Sequence, residues 1–360
     1  MEKLRYILNI VIVTVMFMSV AVNRDAQLFG TPVEEIVKGD NKEVSVVELV
    51  SYGADGSTIL NSAAVVERVF GYGGKTPVKI HLDGEQITKV ELEPNTETPE
   101  FLDAVVATGL LTRWNGMSLS EVATSKTDVV SGATMSSSSI IKNVEITAAH
   151  SAGVVDSLST KFSPSLKDIF ALVVILFGVV LNFLRVSSKP LKILLFVANV
   201  AVLGVWCGSF LSLSLLTAWI ANGASLTTAI IPLTLLVVAL AMPLLGRKGS
   251  YCSHHCPMGA AQELTSLIKV NKLSIPPNVA KKLGRVRDFI LGALMLLMWC
   301  GVGFSLLDYE LFSAFIFKSA SLGILIAALL FLILSIFVHR PYCRFVCPTG
   351  ALFTLIQKNK

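Results

Sequence analysis

Apolar positions dominate six stretches of the chain, near residues 5 to 22, 166 to 186, 192 to 213, 226 to 246, 289 to 307 and 319 to 338. Crossing a hydrocarbon core about 30 Å thick takes about 20 helical residues, so the pattern predicts six transmembrane helices. Between the first and second, the periodicity changes. Alternating apolar positions in VKIHL (78 to 82) and ITKVELE (87 to 93), joined across Asp83-Gly84, read as a β-hairpin. Thr98-Pro99 then opens a helix expected to bury Phe101, Leu102, Val105 and Val106 at 3.6-residue spacing. Ser and Ala are enriched over 145 to 165, which reads as a tether. The fold class is therefore a polytopic α-helical membrane protein carrying an α+β domain. Residues 1–22 form an anchor, 23–150 the soluble domain, 151–165 the linker and 166–360 a five-helix membrane domain.

Composition agrees with that division. The 360 residues are 53% hydrophobic and 15% charged, too apolar for an ordinary soluble globule. The net charge of +5 does not point to nucleic acid, because the basic residues cluster in short loops beside the spans, as the positive-inside rule describes. Arg247, Lys248, Lys269, Lys272, Lys281, Lys282, Arg285 and Arg287 face a lone Glu263 between the fourth and fifth spans, which makes that loop cytoplasmic. Counting crossings puts both termini in the cytoplasm and residues 23 to 165 outside, in a multi-pass protein of the cytoplasmic membrane. The first span, opened by Lys3 and Arg5, has a second reading as a cleaved signal peptide, since Ser19 and Ala21 supply small residues. Either reading exports the soluble domain. Asp308 and Glu310, at the outer end of the fifth span, are expected to be solvated, because carboxylates inside lipid are costly.

The exported domain contains DVVSGATMSSSSI, Asp128 to Ile140. This string resembles the flavinylation motif of FMN-binding domains, as in the sodium-pumping quinone reductase and Rnf-type C and G subunits. The resemblance implies that an ApbE-type flavin transferase joins FMN through its phosphate to Thr134, with Asp128, Ser131, Gly132 and Ala133 completing the motif. A hydroxyl on an exposed Gly-Ala turn is accessible to a transferase, and a helix starting after Thr134 would aim free N–H groups at the phosphate. FGYGG (Phe70 to Gly74) and NTETPEF (Asn95 to Phe101) also resemble family elements. They imply flavin contacts from Gly73, Glu97 and Thr98, although Glu100 stands where the family has glycine.

All six cysteines lie in the membrane half, within an internal duplication. VWCGSFLSLSLL (205 to 216) pairs with MWCGVGFSLLDY (298 to 309), and YCSHHCPMGA (251 to 260) with YCRFVCPTGA (342 to 351), giving repeats over about 192–264 and 288–355. Equal orientation implies a pseudo-twofold axis along the membrane normal, on which Cys252, Cys256, Cys343 and Cys347 converge at the cytoplasmic face. Cys-x3-Cys-Pro matches the tail of a ferredoxin ligand run, and four thiolates suit one shared iron–sulfur cluster. Two clusters would need further ligands, and His254 and His255 occur in one copy only. Zinc, whose structural sites also take four cysteines, is the alternative on ligand type; the neighbouring flavin favours redox iron. Cys207 and Cys300 read either as two buried thiols under an aromatic belt or as flanking a relay across the distance between cluster and flavin.

The whole order resembles the NosR/NirI family, and by length its shorter members, the RdhC-type C proteins that accompany reductive dehalogenases. The resemblance implies an electron conduit from a quinol or a cytoplasmic ferredoxin-like donor to an exported reductase in organohalide-type anaerobic respiration. The alternative is a membrane redox sensor or maturation factor for such a reductase. An enzyme with its own substrate is disfavoured: His81 and His150 have no clustered acid–base partners near the SGAT turn.

Overall fold

The computed structural model describes residues 2–29, 31–33, 36, 48–53, 56–66, 69–95, 97, 99–125, 127–130, 133–153, 165–185, 188–224, 229–273, 275–300, 310–315 and 322–357. Helix α1, Glu2–Asp25, buries Tyr6, Val13, Phe17 and Val20 on one face and exposes Leu8, Val11, Ile12 and Val15 on the other. A short ribbon follows, β1 (Gln27–Leu28) with β2 (Thr31–Pro32). The soluble domain is built on a four-stranded antiparallel sheet in sequential order: β3 (Val50–Tyr52), β4 (Thr58–Asn61), β5 (Val78–Asp83) and β6 (Gln86–Leu92). The expected hairpin is β5–β6, with Asp83 opposite Gln86 and Gly84 at φ 61° in the turn. Val78, Ile80, Leu82, Ile87 and Val90 are buried, as the alternation predicts.

Helix α2, Pro99–Ala107, begins at the expected proline. Its inward face carries Phe101, Ala104 and Val105, while Leu102 is half-buried and Val106 is half-exposed. The expected stripe was thus too wide, because the small Ala104 packs inward and Val106 turns away. After α3, Leu119–Thr124, comes α4, Thr134–Ser151, which lies against α2, α3 and β5. Ser136, Ser137, Ser139, Asn143 and Thr147 are all buried on it. Small hydroxyls let the helix approach its neighbours closely, and several are satisfied locally: Ser139 bonds Thr76, and Thr147 donates to the Asn143 carbonyl. Residues 145–151, read from composition as tether, are the last turns of this helix; 154–164 lie outside the described residues.

Burial also leaves a pH signature on α4. The Glu145 carboxyl is pushed up to about 7 by desolvation, with Lys142 opposing the shift. Folding therefore favours the protonated acid. The associated stability is present below the normal carboxylate pKa and is lost as pH rises through about 7. The thermal midpoint should fall between about pH 5 and pH 8, and Glu145→Gln should flatten that part of the profile in a pH-resolved melting experiment.

In the membrane half, α5 (Leu166–Phe183) starts at a capping box in which Ser165 and Asp168 exchange hydrogen bonds, a motif that contributes about 1 kcal/mol. Helix α6 (Lys189–Ala198) continues as a π-helical segment, Asn199–Trp206. Among the described residues, three segments are long and apolar enough to cross a membrane: Lys3–Asn23, Leu166–Phe183 and Lys189–Trp206. Only 28%, 28% and 22% of their windows is buried, so most of each presents apolar surface outward, as lipid contact requires and water disfavours. The chain is membrane-associated.

The remaining expected spans differ from the prediction. The 192 to 213 run breaks at Cys207, where Gly208 takes φ 59°, and resumes as α7, Leu213–Asn222, a buried helix packed on α1. Helices α8 (Ile230–Leu244) and α11 (Leu322–Phe337) have 15 and 16 residues. The others are α9 (Pro257–Ser266), α10 (Pro277–Trp299), α12 (Pro341–Phe345) and α13 (Pro348–Ile356). Residues 301–309 and 316–321, including Asp308, lie outside the described residues.

Candidate functional site

The SGAT turn is held by α4. Ser137 donates from its Oγ to the Ala133 carbonyl (2.8 Å) and accepts from the Val130 N–H (3.0 Å), pinning the backbone on both sides of residues 131–132. Ala133 is the N-cap and Thr134 the first helical residue, so the unpaired N–H groups of the first turn gather where the sequence predicts the phosphate. Asp128 is exposed. Ser131, Gly132, Thr98 and the side chain of Thr134 lie outside the described residues.

Glu97 and Gly73 are brought together. The buried Glu97 carboxylate accepts from the N–H groups of Tyr72 (2.9 Å) and Gly73 (2.6 Å). A Cβ on Gly71 would run into that carboxylate, so the glycines of FGYGG let the loop close on it. This clasp aims Tyr72 into the membrane half. Its ring meets Phe101 at 4.5 Å and Phe210 at 5.8 Å, and its hydroxyl pairs with Ser212. Lys167, at the start of α5, donates to the Val129 carbonyl beside the SGAT turn. The soluble domain therefore rests on the Cys207–Ser212 break.

The first CxxxCP motif packs against the middle of α5 and the π segment. The chain after α8 reaches the C-terminal end of α5, where Arg247 donates to the Phe183 carbonyl and Asn182 bonds Ser250. It then turns back. His255 meets the Ile175 carbonyl, and a Cβ on Gly204 would stand 3.2 Å from Pro257. Gly204 is roughly 20 Å along the span from Lys189. The first motif thus folds back along α5, away from the end where Arg247 and Ser250 are bonded. Asn199, in the π segment, donates to the His254 carbonyl (2.6 Å), giving this π segment a local function.

Both copies then repeat one device: Cys256 and Cys347 are the N-caps of α9 and α13, each followed by proline. The Gly350 N–H donates to Cys347 Sγ (3.2 Å), and Gly259 and Met258 N–H groups act likewise on Cys256. The copies clasp one another across the axis. Gln262 of the first donates to Cys343 Sγ (3.1 Å) and accepts from the Tyr342 N–H, while Arg340 of the second donates to the Cys252 carbonyl. Arg287 reaches the Cys343 carbonyl. These hydrogen bonds bring the two CxxxCP motifs against one another.

All four thiols are buried or half-buried, and binding a metal requires their thiolate forms. Helix N-termini and two arginines would then offset the charge of four thiolates, so the donor set fits an iron–sulfur cluster. Among the described residues no three His, Cys, Asp or Glu side chains stand close enough for a single ion. His255 is engaged with α5, not with the thiols.

Close approach makes Gly259 sensitive: a Cβ there would stand 2.6 Å from the Cys252 carbonyl oxygen. Gly259→Ala should displace that cysteine and cut iron content severalfold with flavin content unchanged, as read by metal and flavin analysis.

Two expectations are corrected. Glu310 is buried, not solvated, and accepts from Thr349 (2.8 Å) in the first turn of α13. Cys207 and Cys300 do not share an environment: Cys207 is buried with its Sγ near the Lys167 carbonyl, and Cys300 is exposed at the end of α10. The FMN-binding domain also contacts the membrane half. Tyr72 touches Phe210, Phe210 stacks on Phe312, and the Leu211 N–H donates to the hydroxyl of Tyr251, the neighbour of Cys252. The residues whose roles sequence reading missed are Tyr72, Tyr251, Phe210, Gln262, Arg287 and Arg340; the visible signals were the FGYGG element around Tyr72 and the tyrosine preceding a cysteine in both repeats.

Residues 71–148 match the FMN-binding domain family, and residues 228–276 and 321–360 match the 4Fe-4S binding domain family. No curated protein and no solved structure matches the chain. The chain therefore carries an FMN-binding domain and a 4Fe–4S binding domain, which together support a role in electron transfer.

Proposed function

We propose that this chain is a membrane-embedded electron-transfer flavoprotein in which FMN, esterified to Thr134 by an ApbE-type flavin transferase, exchanges electrons with a single 4Fe–4S cluster held by Cys252, Cys256, Cys343 and Cys347. The observation that carries this reading is the contact between Tyr72 of the FMN-binding domain and the Phe210–Ser212 turn, whose Leu211 in turn bonds Tyr251 beside Cys252. When bound, the flavin supplies two-electron capacity and the cluster a one-electron step. The chain's own residues do the positioning. Glu97 locks the loop that carries Tyr72, Ser137 fixes the turn before Thr134, and Gln262 and Arg340 hold the two cysteine motifs in register. Buried Tyr251 and Phe210 exclude water between the centres.

The placement of basic residues supports a multi-pass protein of the cytoplasmic membrane with both termini inside and the FMN domain outside. In that orientation electrons pass from a quinol or a cytoplasmic ferredoxin-like donor to an exported reductase. The likeness to NosR/NirI proteins of the RdhC type supports organohalide respiration as the setting. The test is a reductive titration of full-length protein co-expressed with a flavin transferase. It should take up about three electrons per chain, two on flavin and one on iron. Uptake of two, with no iron signal, would remove the cluster from the reading.

A further inference from the structure

Beside the cysteine motifs lies a cavity of about 380 Å³, enclosed by α1, α7, α8 and α13, within the size range of small-molecule sites. Its walls are almost wholly apolar. Among its lining side chains the hydrogen-bonding ones are Thr14 and Trp219. Thr14 donates its hydroxyl to the Ile10 carbonyl, which leaves that oxygen able to accept; the indole N–H of Trp219 can only donate. Phe29, also on the wall, is 56% exposed, so the cavity opens at the protein surface. Phe353, on the wall, lies 5.3 Å ring to ring from Tyr251, the residue before Cys252, and sits on the helix that Cys347 caps.

We propose that this cavity binds a lipid-soluble quinol and is where electrons enter the four-thiol site. The inference rests on the electron-transfer reading above and decides between the donors left open there. A ferredoxin-like protein cannot enter a cavity of this size. A phospholipid acyl chain fits the apolar wall but uses neither Thr14 nor Trp219. A quinol uses both, its hydroxyl donating to Thr14 and, once oxidised, its carbonyl accepting from Trp219. Oxidation to quinone breaks two O–H bonds and releases two protons to water and two electrons. The electrons leave singly past Phe353 and Tyr251 to the cluster and then to the flavin, which takes up two protons from its own aqueous side.

The test uses detergent-purified full-length protein first shown to contain flavin and iron and to be reduced by dithionite. A decyl-substituted benzoquinol and a short-chain naphthoquinol serve as probes, in the wild type, Trp219→Phe and the cavity-filling Ala224→Phe. Two readouts are taken: quinone retained through gel filtration and extracted, and the rate of flavin reduction by quinol. Both variants should retain less quinone and be reduced by quinol at least about tenfold more slowly, as loss of a buried hydrogen bond or of the cavity predicts, with dithionite reduction unchanged. Wild-type rates and retention in both variants, or a wild type that dithionite reduces and quinol does not, would overturn the inference and leave the electron-transfer reading standing. Should Ala224→Phe fail to fold, Trp219→Phe decides alone. A wild type lacking iron or flavin would end both.

Discussion

Replacing Cys347 by serine should empty the iron site completely and leave the flavin in place. Cys347 is buried, caps α13 and accepts a hydrogen bond from Gly350, so a hydroxyl retains the local cap while losing a thiolate ligand. If the four cysteines share one cluster, losing any one of them removes the iron of both repeats, because neither copy alone has four ligands. Iron should then fall from about four per chain to well below one, and the visible absorbance of the cluster should vanish. Two independent clusters predict a different result, with about half of the iron remaining after a single substitution. Thermal stability should drop as well, since the bound group ties Cys252 and Cys256 to Cys343 and Cys347.

Thr134→Val should abolish covalent flavin without touching iron. Valine keeps the volume and branching of threonine at the first position of α4 and removes the hydroxyl on which a phosphoester depends. On a denaturing gel the wild-type band, made with a flavin transferase, should fluoresce and the variant band should be dark. Thr134→Ser, which restores a hydroxyl, should recover part of the signal. Iron content in the valine variant should equal that of the wild type, because none of the six cysteines lies in the FMN-binding domain.

The sequence was most informative where one local rule governs. Alternation placed β5 and β6, the proline placed the start of α2, and the duplicated YCxxxCPxGA string identified two motifs that pack against one another. Strands β3 and β4 were missed because VSY and TILN are short and lack clean alternation, so their pairing is set by β5. The serine run after Thr134 gave no sign that Ser136, Ser137 and Ser139 are buried, because a close-packed helix face and a solvated one share small residues. The turn-back of the first CxxxCP segment was not legible either. Hydropathy reports how apolar a segment is, not which way it runs, and the turn-back passes through Gly246 and Gly249 at φ 79° and 70°. Burial of Glu310 depends on a partner, Thr349, far along the chain. The clasp of Gln262 and Arg340 across the repeats has no counterpart in spacing, since each joins residues of different repeats.

The most direct test of intramolecular exchange between the two centres is a kinetic one. A sub-stoichiometric pulse of photogenerated reductant is given to the purified holoprotein, and the flavin and cluster absorbances are followed in time at several protein concentrations. Contact through Tyr72, Phe210 and Tyr251 predicts that electrons redistribute between the two centres in a first-order phase whose rate does not change with protein concentration. A redistribution rate that scales with concentration, or no redistribution at all, would contradict it.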